Sequence, residues 1–397
     1  MSFRKRNIGL SPGTARGATP NAPGAQLPSQ PRPQPVPGIR PSPVDGRQTT
    51  STGTLTLDNI LAGHAGLPLG SSLLIEENGT TDFAGALLRY YAAEGIVQEQ
   101  RIHVVGFTEQ WGGTLPGLIG PVEAADEKPK RGKEEKMKIA WRYERLGQFG
   151  VAGSRVPAPT GDKGPDTTTS SPAAAPPVFC HAFDLTKRLI HPSTTSINYI
   201  PLSSSAQDDS LYTNIVQRIS SSIASSPSNT IHRLIIPSLL SPALYPPQAS
   251  QPEYLLQFLH SIRALLSANA HRMTAMITLP LSLYPRSTGL VRWAELLCDG
   301  VLELAPFPHS SDPTSAATSG AATAQEEPPQ GIFKIHRLPV FHERGGGADS
   351  NMVEDWAFTL SRKKFSIKPF HLPPVEGDNE AQQHNHSSGP SKADLEF

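Results

Sequence analysis

The chain has 397 residues, 40 of them proline and 33 glycine, and only 37% are apolar; proline at about twice its usual share excludes one continuous compact domain, while the apolar content excludes wholesale disorder. Lysine plus arginine equals aspartate plus glutamate at 35 each, which excludes a protein that binds nucleic acid through bulk positive charge. Two distant cysteines, Cys180 and Cys298, exclude a disulfide framework or a CxxC-type zinc site, and with no apolar run near ~18 residues and no secretory leader the chain is expected to be soluble, intracellular and in a reducing compartment.

Residues 1–45 are Pro, Gly, Ala, Gln and Arg with almost nothing apolar to offset the entropy of ordering, and read as a disordered basic arm. Its cations, Arg4, Lys5, Arg6, Arg16, Arg32 and Arg40 with Arg47 just beyond, face the single acid Asp45. A folded domain is expected over residues 46–375. Ser71 to Ile75 reads as a strand, Thr81 to Glu94 as a helix with Phe83, Leu87, Leu88 and Tyr91 on one face, and Ile102 to Phe107 as a strand again. A flexible insertion follows near 122–177, charged at first (Asp126 to Lys138) and then rich in Pro, Ser and Thr. The pattern resumes with Val178 to Phe183 (strand), Asp209 to Ile223 (helix), Ile231 to Ile236 (strand), Pro252 to Ala268 (helix), Met273 to Leu279 (strand) and Leu290 to Leu297 (helix). Three consecutive strands, Gly300 to Leu304, Gly331 to Leu338 and Trp356 to Ser366, end it, interrupted by a second insertion near 306–330 and followed by a disordered polar tail over 376–397. Strands alternating with helices predict an α/β fold with a mostly parallel sheet between helices; the closing strands predict an antiparallel C-terminal edge.

The lead-in Gly53 to Gly63, a strand, a Gly-containing turn and a helix resemble the opening of a RecA-like ATPase core. A working phosphate loop needs glycines to cradle the phosphates, a lysine for the β/γ-phosphates and Ser/Thr for magnesium. Here the turn is Glu76-Glu77-Asn78-Gly79-Thr80-Thr81-Asp82-Phe83, with one glycine and three acids, and no lysine occurs between Lys5 and Lys128. Like charges at 4 Å cost about 4 kcal/mol at an effective dielectric near 20, so these acids would repel a phosphate. Thr80-Thr81-Asp82 reads instead as a helix N-cap. The metal-binding Asp expected after a core strand is also missing, since Leu234-Ile235-Ile236 runs into Pro237-Ser238.

Cys180-His181 on a strand would point to opposite faces, so a buried structural cysteine is expected rather than a dyad, with Asp184 capping the following turn. His384 and His386 supply only two ligands. Arg362, Lys363 and Lys364, beside Phe365 and followed by Lys368, form the densest basic cluster of the folded part and are the RNA-binding candidates.

Several segments in combination resemble the Elongator complex protein 4 family: Gly38-Ile39-Arg40-Pro41-Ser42, Leu73-Leu74-Ile75-Glu76-Glu77, Arg89 to Gly95, Trp141-Arg142-Tyr143-Glu144, Phe179 to Leu185, and Phe365 to Pro374. The resemblance covers the folded parts from about residue 38 to 375. It implies a RecA-like subunit without its own phosphate loop, in a hetero-hexameric ring with Elongator proteins 5 and 6. That ring binds tRNA and serves the catalytic Elongator subunits, which place carboxymethyl-type modifications on wobble uridine U34. By this reading the chain is no enzyme, holds no cofactor or metal of its own, with ATP at ring interfaces left open, touches no membrane, and works in the cytoplasm, with the nucleus left open as a second location. The alternative is a catalytically competent RecA-type ATPase.

Overall fold

Every residue of Ser72-Leu-Leu-Ile-Glu-Glu77 is buried, as a strand covered on both faces must be. The computed structural model describes residues 36–120, 178–192, 195, 197–202, 211–308, 328–340 and 355–370, all within one unit, Val36–Phe397; the segment Met1–Pro35 lies outside them. In chain order the elements are β1 (Ile39–Pro41), β2 (Gln48–Thr50), α1 (Leu55–Ile60), β3 (Leu67–Pro68), β4 (Ser72–Glu77), α2 (Phe83–Val97), β5 (Arg101–Val105), α3 (Glu109–Gly112), β6 (Pro116–Leu118), β7 (Phe183–Arg188) and β8 (Ile197–Ile200). They continue with α4 (Leu211–Ala224), β9 (His232–Ile236), α5 (Pro252–Ala268), β10 (Met273–Pro280), α6 (Gly289–Leu297), β11 (Gly300–Pro306), β12 (Gly331–Arg337), β13 (Trp356–Leu360) and β14 (Phe365–Pro369).

Nine strands form the main sheet in the order β14-β13-β12-β11-β4-β10-β9-β5-β8. Every pairing from β11 to β8 is parallel, and β11-β12, β12-β13 and β13-β14 are antiparallel. The expected α/β architecture, mostly parallel with an antiparallel C-terminal edge, is therefore present. Alternation along β4 divides the core. Leu73 and Ile75 pack with Leu87 and Tyr91 of α2, whereas Leu74 packs with Ile215 of α4, Phe258 of α5 and Val291 of α6. Within the described residues no helix is long and apolar enough to cross a membrane.

Three local expectations are corrected. Residues 36–45, assigned to the disordered arm, carry β1, which pairs with β2; the Arg40 guanidinium lies 3.5 Å from the Phe179 ring centroid, so cation-π packing replaces the missing aliphatic side chains. Val178 to Phe183 is not a strand. Its backbone groups go to side chains of α2 and the residue after it, Gln98 Nε2 donating to the Val178 carbonyl (2.9 Å) and the His181 N–H donating to Glu94 (2.9 Å), and the strand begins only at Phe183. That strand, β7, pairs with β6 in a separate two-stranded sheet. Trp356 to Ser366 is a hairpin rather than one strand, because Ser361 Oγ accepts the N–H groups of Lys363 and Lys364 and turns the chain.

Candidate functional site

The residues expected to decide for or against nucleotide chemistry surround the start of α2. A helix leaves its first N–H groups unpaired, and this end is a ready anion site. Here the chain fills it from within. Glu77, the last residue of β4, accepts the Phe83 N–H (3.0 Å) and the Thr81 hydroxyl (2.7 Å) on Oε1 and the Ala84 N–H (2.8 Å) on Oε2. The expected cap from Thr80-Thr81-Asp82 is corrected: Asp82 is the N-cap residue by position but makes no side-chain cap bond, and its carboxylate turns to Arg89 at 3.0 Å. Burial pushes the Glu77 carboxyl upward, against the hydrogen bonds from Ala84, Thr81 and Phe83. Beside it a crevice of about 60 Å³ is lined by Asp82, Arg89, Phe107, Trp111, Pro237, Ser238 and Thr278, far below the ~300 Å³ of a small-molecule site. At the end of β9, where a metal-binding acid would stand, the Ser238 N–H donates to Thr278 Oγ1 (2.7 Å).

Glu76, one residue earlier, faces the other side of the sheet. Its direct parallel neighbour is Glu303 of β11, whose antiparallel neighbour is Lys334 of β12, so three charged residues stand in one row. Arg286 covers the row, its Nε donating to Glu295 of α6 at 2.7 Å; the same nitrogen lies 3.2 Å from Glu76, with its hydrogen already committed. Lys334 (3.2 Å) and His336 (2.6 Å) donate to Glu303. Burial raises the Glu303 carboxyl, but these two donors outweigh it and hold it below its ordinary range. Glu76 has no donor on either oxygen, and burial together with the charges of Glu295 and Glu303, opposed only by Arg286, pushes it up to about 8. A carboxyl raised on folding contributes stability that is complete below about pH 4.5 and is lost as pH rises through about 8, at up to about 1.4 kcal/mol per pH unit. Glu76→Gln is therefore expected to melt close to the parent chain at pH 5 and several degrees above it at pH 8. Equal melting shifts at the two pH values would refute this.

Among the described residues no group of three or more His, Cys, Asp and Glu is arranged to hold a metal ion, and the His384/His386 pair lies outside them. Cys180, expected to be buried, is half-buried, and burial together with the nearby carboxylates of Asp58 and Glu94 pushes its thiol up to about 12, which disfavours the thiolate. His181 bonds Glu94 at 3.0 Å instead. Ser42, His64 and Asp45 also converge, but Ser42 (2.8 Å) and Asp45 (3.6 Å) approach the same Nδ1 while Nε2 meets the Pro339 carbonyl (3.0 Å), so no serine hydroxyl is activated by an acid on the far nitrogen.

Of the RNA-binding candidates, Arg362, Lys363 and Lys364 lie in the β13-β14 turn and are exposed, and Lys368 is exposed on β14, opposite Ala357. The Lys363 carbonyl accepts the Leu185 N–H at 2.7 Å, which brings exposed Lys187 and Arg188 of β7 alongside the turn. Asp184 reports this convergence: burial raises its carboxyl, but hydrogen bonds from Thr186 and the charges of Lys363 and Lys187 bring it below its ordinary range. Sequence reasoning missed the β7 pair because nothing local links it to a turn some 175 residues away.

A match to the family described as PAXNEB protein runs over residues 32–397. The chain belongs to this family. Elongator complex protein 4 of Schizosaccharomyces pombe is 31% identical over 351 residues, spanning 84% of this chain and 87% of that protein. Elongator complex protein 4 of Saccharomyces cerevisiae is 28% identical, covering 85% and 77%, and that of Homo sapiens 29%, covering 84% and 79%. The resemblance found in the sequence is thereby borne out at the level of the family.

Proposed function

We propose that this chain is a non-catalytic subunit of an Elongator complex. Its core is read as a RecA-like domain that keeps the architecture and has lost the nucleotide chemistry. The observation that carries the non-catalytic half is Glu77, which fills the α2 N-terminus with the chain's own carboxylate in a lysine-free stretch. The complex half is supported by the name shared by the family relatives, Elongator complex protein 4. In this reading the chain forms a hetero-hexameric ring with Elongator proteins 5 and 6, which binds tRNA and is required by the catalytic subunits for carboxymethyl-type modification of wobble uridine U34. It carries no catalytic residue, cofactor or metal, and works in the cytoplasm and nucleus.

The test is a titration of fluorescent ATP with magnesium into the purified chain. No saturable binding is expected up to the millimolar range. Micromolar, magnesium-dependent binding abolished by changing the Glu76 to Asp82 turn would instead establish the alternative, a competent RecA-type ATPase. For RNA, changing Arg362, Lys363 and Lys364 to Ala is expected to weaken tRNA binding by the assembled ring and to flatten the plot of log affinity against log salt by up to about two to three units. Adding Lys187→Ala and Arg188→Ala should flatten it further. An unchanged slope would remove the hairpin from the RNA surface.

A further inference from the structure

Helix α6 buries Val291 and Ala294 against the sheet and turns Arg292, Trp293 and Leu296 outward. Trp293 is 58% exposed and Leu296, one turn on, 51%. Tryptophan carries one of the largest apolar surfaces of any side chain, and leaving it in water beside an exposed leucine forfeits burial that a partner would recover. The charges around this pair are sorted. Arg263 of α5 and Arg337 of β12, both exposed, each donate to the Leu296 carbonyl at 3.3 Å, and Arg292 neighbours Trp293. The carboxylates of the same stretch have inner partners: Glu295 holds Arg286, and Asp299 accepts the N–H and hydroxyl of Ser72. An apolar centre rimmed by three arginines remains on the outside, the composition that dominates binding energy at protein interfaces.

We propose that this α6 face docks another subunit of the complex, through a segment of that partner which sets apolar side chains over Trp293 and Leu296 and carboxylates against Arg263, Arg292 and Arg337. The proposal rests on the reading of the chain as a complex subunit. Charge complementarity selects the partner: arginine forks pair in bidentate fashion with carboxylates, and the two acids of the α6 stretch, Glu295 and Asp299, are already engaged by Arg286 and Ser72. RNA would also meet the arginines. However, a stacking platform for bases needs further ring surface beside the tryptophan, and the position one turn along the helix holds the aliphatic Leu296.

The experiment co-expresses the full chain with the other subunits and recovers the assembly through a tag on one of them. The parent chain is expected to be retained. Trp293→Ala with Leu296→Ala should lower retention at least tenfold, and Arg263→Glu with Arg292→Glu should lower it most at low salt and less as salt rises, while the free variants melt within about two degrees of the parent. Trp293→Phe, which keeps an aromatic anchor, should restore most of the retention and separates docking from folding. If the parent is retained and both double variants are retained equally, the surface is overturned and complex membership stands. If the parent itself is not retained, membership falls and the surface with it. Intact assembly with reduced tRNA affinity overturns the protein partner in favour of an RNA platform.

Discussion

Arg233→Ala is expected to cost about 3–5 kcal/mol, enough to leave much of the chain unfolded when total stability is about 5–15 kcal/mol. Arg233 is fully buried in β9. Its Nε donates to Gln100 Oε1 (2.6 Å), Nη1 to the Tyr91 carbonyl (2.9 Å) and Nη2 to Thr50 Oγ1 (2.7 Å), and its guanidinium lies 4.5 Å from the Tyr91 ring centroid. It thus ties β2, α2 and the α2-β5 turn to the central sheet. Gly95 leaves it room: a Cβ there would come within 2.6 Å of Arg233 Cδ. Two other fully buried charges depend on it, Asp58, which accepts Ser51 Oγ (2.6 Å) and the Thr52 N–H (2.7 Å), and Glu94. Removing the cation takes the donors from Gln100 Oε1 and the Tyr91 carbonyl, withdraws a favourable charge from Asp58 and Glu94, and opens a cavity. Urea unfolding of Arg233→Ala and of Arg233→Met with Glu94→Gln checks this. The double variant should recover part of the loss by removing one of the two carboxylates that face the lost cation, and a single-variant loss below about 1 kcal/mol would refute the argument.

That network was illegible in the sequence for a physical reason. Ile231 to Ile236 reads as a core strand because its apolar residues say so, but nothing within it tells whether His232 and Arg233 point to water or inward. The answer lies in Thr50, Tyr91 and Gln100, more than 130 residues away. What was legible is what local periodicity encodes: α5 begins and ends where its pattern does, and the alternation of β4 sorts Leu73 and Ile75 from Leu74. The missing phosphate-loop lysine was equally plain, since absence from a stretch needs no coordinates. The filling of that site was not. Any of three acids in the turn could have capped α2, and only the placement of Glu77 at the last position of β4 aims its carboxylate at the Phe83 and Ala84 amides. Short strands such as β1 and β8 carry too few residues for a period to register, and their pairing partners supply the evidence instead.

Acid is expected to unfold the protein through a histidine pair on the sheet. His103 of β5 and His232 of β9 are both fully buried, their rings meeting edge to edge with planes 13° apart and centroids 5.2 Å apart. Asn198 Nδ2 reaches His103 Nδ1 at 3.2 Å, His103 Nε2 reaches His232 Nδ1 at 2.9 Å, and His232 Nε2 reaches Ser226 Oγ at 2.8 Å, whose hydroxyl donates to the Ile223 carbonyl at 2.7 Å. Assigning one proton to each ring, on Nε2, satisfies every link of this chain with both histidines neutral. A second proton on His232 would face the N–H of His103. Burial is the main cause that lowers His103 to about 3 and His232 to about 4, helped in the first by His232 and Arg101 and in the second by Arg272 and Arg101. The unfolded chain therefore binds more protons than the native one between about pH 6.5 and 4, so the stability these residues contribute is complete above about 6.5 and lost as pH falls through that window. One group moved from 6.5 to about 4 corresponds to a loss of about 3 kcal/mol. Glu76 acts with the opposite sign, losing stability as pH rises towards about 8, and the two linkages together place the stability maximum on the acid side of neutrality, near pH 6. Urea midpoints measured from pH 4.5 to 8.5 should trace that dome. His232→Asn should lower the whole curve and flatten its acid limb, and Glu76→Gln should flatten only the alkaline one; an acid limb equally steep in His232→Asn would assign the acid loss to other groups.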